Sequence, residues 1–302
     1  MELVERINKL RQEKKAVILA HNYQLPEVQD IADYVGDSLG LSVQASRTDA
    51  EVIVFCGVHF MAETAKILSP GKTVLLPDKD SACPMADMIN ADQLRKLKAQ
   101  HPRAKVMCYV NTSAEVKAEC DICCTSSNAE KIALEAFAAD EEVIFVPDKY
   151  LAHYVAAQTG RKFIVWKGFC PTHARILPEA ILEQQRLHPA AKVIVHPENR
   201  PEVIALADRV LSTGGMSSYA RDDEAKEFIV GTEIGILHRM QKENPGKIFY
   251  RVSDLAICPN MKRTTLEKVL WSLEEMTFKI EVPPEIMARA RTSITRMLEF
   301  QG

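Results

Sequence analysis

The sequence contains no long apolar run. Its apolar stretches stop well short of the roughly 20 residues that a membrane-spanning helix needs. The opening segment "MELVERINKLRQEKK" is charged and amphipathic and lacks the apolar centre of a secretion signal. We therefore expect a cytoplasmic protein without a membrane span. In a reducing compartment its 8 cysteines are expected to be free thiols, metal ligands or redox groups rather than disulfides.

An excess of positive charge is also missing. The 38 Lys and Arg residues are balanced by 41 Asp and Glu residues, which gives a formal net charge of -3. Binding to nucleic acid normally shows as an excess of clustered basic residues, so a small molecule is the expected partner. The hydrophobic fraction of 47% and the charged fraction of 26% are typical of a globular protein and exclude disordered and fibrous classes.

The sequence also lacks a complete set of closely spaced cysteines and histidines for a structural zinc site. The stretch "ECDICC" contains Cys120, Cys123 and Cys124 with one CxxC spacing, but no second pair of Cys or His follows nearby. A structural role is therefore favoured over a metal site. Cys56 and Cys108 lie inside apolar, strand-like runs and are expected to be small buried residues.

What the sequence does contain is a threefold repeat. Its units begin with the strand-like segments "AVILAHNY", "AKVMCYVN" and "AKVIVHPE", and each continues as strand and helix in alternation. Each unit ends with a Cys-Pro pair, and the three cysteines, Cys83, Cys170 and Cys258, are separated by steps of 87 and 88 residues. Strands with near-continuous apolar runs, alternating with helices, indicate parallel sheets covered by helices on both faces. The pieces "YVGDS", "ICCTSS" and "VLSTGG" predict one further strand in each unit, which makes four.

These patterns predict the α/β class, with three small units related by a pseudo-threefold axis around a central active site. The expected boundaries are 1–87, 88–172 and 173–262, and helices in 263–302 are expected to pack back on the assembly. Ligands of parallel sheets bind beyond the carboxyl ends of the strands. If those ends point inward, the three Cys-Pro turns meet in one cavity.

Each Cys-Pro pair is expected to begin a helix, because proline is favoured in the first helical turn. The helix end would then favour the thiolate form of each cysteine, and three thiolates held together need a metal centre. Zinc with His173 as fourth ligand is one such centre. An iron-sulfur cube held through three of its irons is another, and three buried free cysteines kept by duplication are the third interpretation. Ligands dispersed one per unit favour the cube.

Two rings of polar residues follow the strands. The first ring, at the ends of the first strands, offers groups for proton transfer: His21, Asn22, Tyr23, Tyr109, Asn111, His196 and Glu198. The second ring precedes helices and is suited to bind phosphate or carboxylate, or simply to cap those helices: Asp37, Ser38, Ser126, Ser127, Asn128, Ser212, Thr213, Gly214 and Gly215. An iron without a protein ligand is a Lewis acid that helps to expel water, so dehydration chemistry is expected.

The motifs "AHNYQ", "VGDSLGLS", "CYVNTSAEVKA", "CTSSNA", "KGFCPTH", "HPE", "STGGM" and "CPNMK" together resemble the quinolinate synthase family over essentially the full chain. This resemblance implies three similar α/β domains around one 4Fe-4S cluster with an iron that no cysteine binds. It further implies de novo NAD biosynthesis, by condensation of iminoaspartate with dihydroxyacetone phosphate to quinolinate, phosphate and two waters. These substrates are the implied partners, and a transient contact with L-aspartate oxidase stays open.

Residue by residue, the resemblance makes Cys83, Cys170 and Cys258 the cluster ligands. The substrate and acid-base residues that it implies are His21, Tyr23, Ser38, Tyr109, Asn111, Ser126, His173, His196, Glu198, Ser212 and Thr213, with Met261 near the third ligand. Some relatives carry a CxxCxxC run beside the third ligand that is proposed as a redox switch. This chain has "AICPNMK" there, so we do not expect that regulation.

Within this scheme His21, Tyr23 and Tyr109 are expected to transfer protons during condensation. Glu198, near His196, is the expected base for the dehydrations. Two other interpretations are an aconitase-like hydro-lyase acting on a different hydroxy acid, and a binding protein for small ligands with a structural zinc.

Overall fold

Three parallel sheets of four strands carry the architecture in the computed structural model, which describes residues 2–300. The first sheet consists of β1 (Ala16–His21), β2 (Tyr34–Gly36), β3 (Val52–Cys56) and β4 (Thr73–Leu75). The second consists of β5 (Lys105–Tyr109), β6 (Ile122–Cys124), β7 (Val143–Val146) and β8 (Phe163–Val165). The third consists of β9 (Lys192–Val195), β10 (Arg209–Val210), β11 (Glu227–Gly231) and β12 (Ile248–Arg251). The predicted α/β class and the fourth strand of each unit are confirmed.

All three sheets share one strand order, in which the first strand lies between the second and the third, and the fourth follows the third. The chain therefore reverses its direction of winding between the first and third strands of each sheet. In open parallel sheets this switch point, at the carboxyl ends of the strands, is where ligands bind. The fold thus directs the ends of β1, β5 and β9 to the expected position of the site.

Helices cover both faces of the sheets. Those of the first unit are α1 (Glu2–Glu13), α2 (Pro26–Ile31), α3 (Ser38–Arg47) and α4 (His59–Leu68). Those of the second are α5 (Ala91–Gln100), α6 (Ala114–Lys117), α7 (Ala129–Glu135) and α8 (Lys149–Thr159). The third unit follows with α9 (Pro171–Ala174), α10 (Pro178–Leu187), α11 (Pro201–Ile204), α12 (Thr213–Asp222) and α13 (Ile236–Glu243). Two further helices, α14 (Leu266–Glu275) and α15 (Pro284–Leu298), come after the last sheet. Among residues 2–300 every helix is too short or too polar to span a bilayer.

Alternate residues of β1 serve two different cores. Ile18 packs outward among residues of α1 and α14, while Leu19 packs inward into the large core that the three units share. Both side chains are almost completely buried. A strand buried on both faces needs a continuous apolar run, which is why "AVILA" does not alternate with polar residues.

The chain after residue 262 returns to the first two units. Helix α14 lies along α1, and α15 lies against α6 and β6. Between these helices the backbone N–H of Leu76 donates to the carbonyl of Phe278, and the N–H of Ile280 donates to the carbonyl of Val74. The segment 278–280 therefore extends the first sheet beyond β4 as an antiparallel neighbour. The domain boundaries themselves stay a prediction, and the one between 172 and 173 falls inside α9.

We expect Leu273→Ala to lower the free energy of unfolding by about 2–5 kcal/mol, because the substitution leaves a cavity between α14 and the first sheet. Leu273 is completely buried, whereas Trp271 on the same helix is 52% exposed. Urea denaturation of both variants tests the packing of this helix. A Trp271→Ala variant that loses as much stability as Leu273→Ala would contradict it.

Candidate active site

One cavity lies where the carboxyl ends of the three sheets converge. Its empty volume is about 670 Å³, part of which is open to solvent. Of the site residues that the resemblance implies, all line this cavity except Ser212, which lines an adjoining outer cavity. Four further members of the two predicted rings do not line it: Asn22, Asn128, Gly214 and Gly215. The lining residues predicted from the sequence are His21, Tyr23, Ser38, Cys83, Tyr109, Asn111, Ser126, Cys170, His173, His196, Glu198, Thr213, Cys258 and Met261.

The three cysteines lie in tight turns after the last strand of each unit. Only Cys170 begins a helix, as the N-cap residue of the short α9 with Pro171 in its first turn. Cys83 precedes a 3-10 turn at Ala86–Met88, and Cys258 precedes turns without a helix, so the prediction of three helix starts is wrong for two of the pairs. Each cysteine nevertheless accepts a hydrogen bond from the backbone N–H of the residue three positions later. These donors are Ala86, His173 and Met261.

The prediction that the helix starts lower the pKa values of the thiols is also wrong for the protein without a bound metal. Burial raises the pKa of all three thiols, that of Cys83 to about 12, and outweighs the backbone donors. The thiols are partly exposed to the cavity, but protein surrounds them on the other sides. Cys83 and Cys258 also raise the pKa of Cys170, so the three groups lie close enough to interact. A bound cation is needed to hold them as thiolates.

Glu198 lies at the centre of the polar half of the cavity. Tyr109 donates its hydroxyl to Oε1 of Glu198 at 2.5 Å, and Nδ1 of His173 lies 2.7 Å from Oε2. Burial alone would raise the pKa of Glu198, but His173, His196 and the hydrogen bonds lower it to about 2. The carboxyl group is therefore ionised at neutral pH, which is the charge state that a general base requires. The nearest histidine is His173, whereas Nδ1 of His196 lies 3.9 Å away.

A second network connects Tyr23 with His173 through a threonine that the sequence analysis missed. The Tyr23 hydroxyl lies 2.5 Å from Oγ1 of Thr232, and Nε2 of His173 lies 2.8 Å from the same oxygen. Burial, reinforced by Glu198, raises the pKa of Tyr23 well above its usual value. Tyr23 is thus a protonated phenol at neutral pH, placed to donate a proton.

The two other histidines are neutral. Burial lowers the pKa of His196 to about 3 and that of His21 to about 4. Nε2 of His196 lies 3.1 Å from Oγ of Ser126, and the imidazole ring stacks on His173 with centroids 4.8 Å apart. Nδ1 of His21 accepts the backbone N–H of Tyr23, which leaves Nε2 of His21 as its donor. The ionised carboxylate of Glu198 therefore lies among neutral histidines and protonated tyrosines in this cavity.

The second ring of residues lies at three helix starts, as predicted. Asp37, Asn128 and Ser212 are the N-cap residues of α3, α7 and α12. Oδ2 of Asp37 accepts the hydroxyl of Ser127 at 2.7 Å and that of Ser212 at 3.4 Å, so one carboxylate connects all three units. Ser38, Ser126 and Thr213 remain on the inner side.

Two asparagines, Asn22 and Asn111, lie next to this ring. The amide nitrogen of Asn22 donates a hydrogen bond to the hydroxyl of Thr213 at 2.9 Å. Within residues 2–300, Oδ1 of Asn111 is a buried acceptor without a hydrogen-bond partner, on a residue that lines the cavity. Such an acceptor is free to bind a ligand donor.

Some lining residues were not predicted to belong to the site. Asp37 was recognised in the ring but not as its connecting carboxylate, and Glu233 was missed altogether. The polar pair "TE" directly after the apolar run "EFIVG" was the available signal for Thr232 and Glu233. An apolar wall was missed as well, and it consists of Val58, Phe60, Met61 and Met85. The other five cysteines do not line the cavity. Four of them, Cys56, Cys108, Cys123 and Cys124, are completely buried in the cores.

Fold and site together define an α/β protein in which three repeated units build one shared cavity lined by titratable side chains. The sequence profile of the family described as Quinolinate synthetase A protein matches residues 5–299. The chain is 59% identical over 293 residues to the quinolinate synthase of Dehalococcoides mccartyi strain CBDB1, covering 97% of this chain and 96% of the relative. It is 56% identical over 299 residues to the quinolinate synthase of Methanosarcina barkeri strain Fusaro, covering 98% and 97%. The quinolinate synthase of Thermodesulfovibrio yellowstonii is 53% identical over 296 residues, covering 98% and 97%. The chain belongs to the quinolinate synthase family.

We expect Gly214→Ala to lower the free energy of unfolding by about 1–3 kcal/mol, because overpacking has costs of that size. A Cβ at residue 214 would lie 2.7 Å from Oδ2 of Asp37 and push the carboxylate away from Ser127. Gly71→Ala is the matched control, since apart from its chain neighbours no heavy atom of residues 2–300 lies within 4 Å of its added Cβ. Urea denaturation compares them, and equal stabilities would show that Asp37 moves without cost.

Proposed function

We propose that the chain condenses iminoaspartate with dihydroxyacetone phosphate and forms quinolinate, phosphate and two waters, for NAD biosynthesis. The observation that carries the proposal is the meeting of three cysteines, one from each unit, with the Tyr109, Glu198 and His173 network in one cavity. The full-length similarity to quinolinate synthases supports the same reaction.

Cys83, Cys170 and Cys258 would hold a 4Fe-4S cluster. The donor set fits this group, because each sulfur accepts backbone N–H donors and each unit supplies one thiol. Among residues 2–300 no fourth cysteine lines the cavity, which would leave one iron without a cysteine ligand. When bound, such a cluster supplies a Lewis acid for loss of a hydroxyl group.

The remaining residues divide into binding and proton-transfer groups in this proposal. The hydroxyls of Ser38, Ser126 and Thr213 and the amide of Asn111 would bind the phosphate and carboxylate groups of the substrates, with Ser212 supporting them from the outer side. His173, His196 and Met261 would complete the substrate pocket. The position of the hydroxyls beside the helix starts supports this division. The free Oδ1 of Asn111 would accept from an N–H or O–H of a substrate, while its amide nitrogen would donate to the anionic groups.

Proton transfer is assigned to four side chains. Tyr23 and Tyr109, whose raised pKa values keep them protonated, and neutral His21 would serve the condensation. Ionised Glu198 would take the protons lost in the dehydrations, and Tyr109 is within reach to receive or return them at 2.5 Å.

We expect anaerobically purified protein to be brown and to contain iron and sulfide in equal amounts. Cys83→Ser, Cys170→Ser and Cys258→Ser should each lose this cluster, while Cys120→Ser, a partly exposed cysteine outside the cavity, should keep it. Iron, sulfide and zinc analysis provides the measurement. A colourless protein with one zinc would instead support a zinc site, which Cys170, His173 and Glu198 could form with ligand atoms within 4.8 Å of one another.

Glu198→Gln should keep the cluster but form quinolinate about 10²–10⁴-fold more slowly, because the general base is lost. The assay follows quinolinate from iminoaspartate and dihydroxyacetone phosphate, with the exposed Glu224→Gln as control. Unchanged turnover would remove Glu198 from the mechanism. Failure of the cluster-loaded native protein to form quinolinate, with loss of water from another hydroxy acid, would favour an aconitase-like activity.

A further inference from the structure

A buried carboxylate in the third unit holds the turn that carries Cys258. Glu233 follows β11 and its side chain is completely buried. Its Oε1 accepts the backbone N–H of Cys258 at 3.2 Å, and its Oε2 accepts the N–H of Gly235 at 2.7 Å. Because the Cys258 bond is to the backbone, it fixes the start of the turn without occupying the sulfur.

The same carboxylate forms an ion pair that reaches the first unit. Nζ of Lys262 lies 2.9 Å from Oε1 and 3.1 Å from Oε2 of Glu233, and it also donates to the backbone carbonyl of Tyr23. The Lys262 side chain is 19% exposed. One charge pair therefore contacts both the Cys258 turn and the loop that carries Tyr23.

The space around this pair fits it closely. A Cβ at Gly235 would lie 2.6 Å from Nζ of Lys262, 2.8 Å from Oε2 of Glu233 and 2.8 Å from the carbonyl carbon of Tyr23. Only a residue without a side chain permits the three groups to approach one another there. Nearby, Gln29 donates to the carbonyls of Gly235 and Gln24, which gives the two units a further shared contact.

The pseudo-threefold repeat shows what is special about the third unit. The position two residues beyond the third strand is Val58 in the first unit, Asp148 in the second and Glu233 in the third. Asp148 is buried, accepts the backbone N–H of Cys170 and caps α8, but it has no ion pair with a cation among the described residues. Lys262 adds the connection to a second unit.

We propose that Glu233 and Lys262 are positioning residues that fix the Cys258 turn and the Tyr23 loop relative to each other. The proposal rests on the function proposed above, in which Cys258 binds the cluster and Tyr23 transfers protons. Removing either partner leaves a buried charge without compensation, so each single substitution should loosen both segments. Glu233 and Lys262 would act on the reaction only through Cys258 and Tyr23.

Glu233→Gln and Lys262→Met in the cluster-loaded protein test this coupling by amide hydrogen exchange. In both variants we expect exchange in 22–25 and in 257–262 to be faster by about tenfold, the factor that corresponds to loss of one hydrogen bond to a charged group. Asp148→Asn is the matched control and should affect the segment around Cys170 but not 22–25. Asp223→Asn, which breaks the surface pair with Lys192, should affect neither segment.

Two further measurements separate positioning from general loss of structure. The reduction potential of the cluster should rise in Glu233→Gln and fall in Lys262→Met, because the first removes a negative charge and the second a positive one. In turnover, kcat should fall more than KM rises, because proton transfer from Tyr23 is affected more than binding. The double variant should perturb exchange less than the sum of the two single variants.

The proposal is overturned if Glu233→Gln speeds exchange in 257–262 while 22–25 stays as in the native protein, since the pair would then be local support only. It is also overturned if both potentials move in the same direction. Exchange does not depend on turnover. If exchange in 22–25 and 257–262 rises together in a protein that forms no quinolinate, the positioning role of Glu233 and Lys262 stands and the proposed function is rejected.

Discussion

The structure depends on one geometric constraint, the direction of parallel strands. Because all four strands of a sheet run the same way, their carboxyl ends and the loops that follow lie at a single edge. Three such edges face one another here, and each contributes a cysteine turn, a strand-end polar residue and a helix start. A small unit with one sheet could not surround a ligand on its own. The three repeated units together surround the cavity, and the side chains that differ between the units give the cavity its different functional groups.

Burial then decides the charge state of each group in the enclosure. The same loss of water that raises the pKa values of Tyr23 and the cysteines lowers those of His21 and His196. Glu198 remains ionised because His173, His196 and the hydroxyl of Tyr109 lie against it and lower its pKa. Within one cavity, burial thus keeps the tyrosines protonated and His21 and His196 neutral, while Glu198 keeps its charge.

The sequence predicted those features that repeat or depend on local pattern. The apolar runs predicted the strands, and the steps between the Cys-Pro pairs predicted the three units. Alignment of the segments "AVILAHNY", "AKVMCYVN" and "AKVIVHPE" brought His21, Tyr109 and His196 to one place. The thiol pKa values were misjudged because a local helix argument cannot account for desolvation by distant segments. Thr232 and Glu233 were missed because their counterparts in the first unit, Gly57 and Val58, are not polar, and only the second unit has an acid, Asp148, at the position of Glu233. The close pairing of His173 with Glu198 is a contact between separate elements and has no local pattern.

The return of the chain after residue 262 also affects the order in which the protein can be completed. Helix α14 supplies part of the core of the first sheet, and the segment 278–280 pairs with the edge of β4. Both are translated after all three sheets. During synthesis, the first sheet therefore has an exposed edge and an uncovered apolar surface until α14 and the segment 278–280 have left the ribosome. Completion of the first unit is thereby linked to synthesis of the whole cavity lining, so a truncated chain would expose surfaces that chaperones and proteases can recognise.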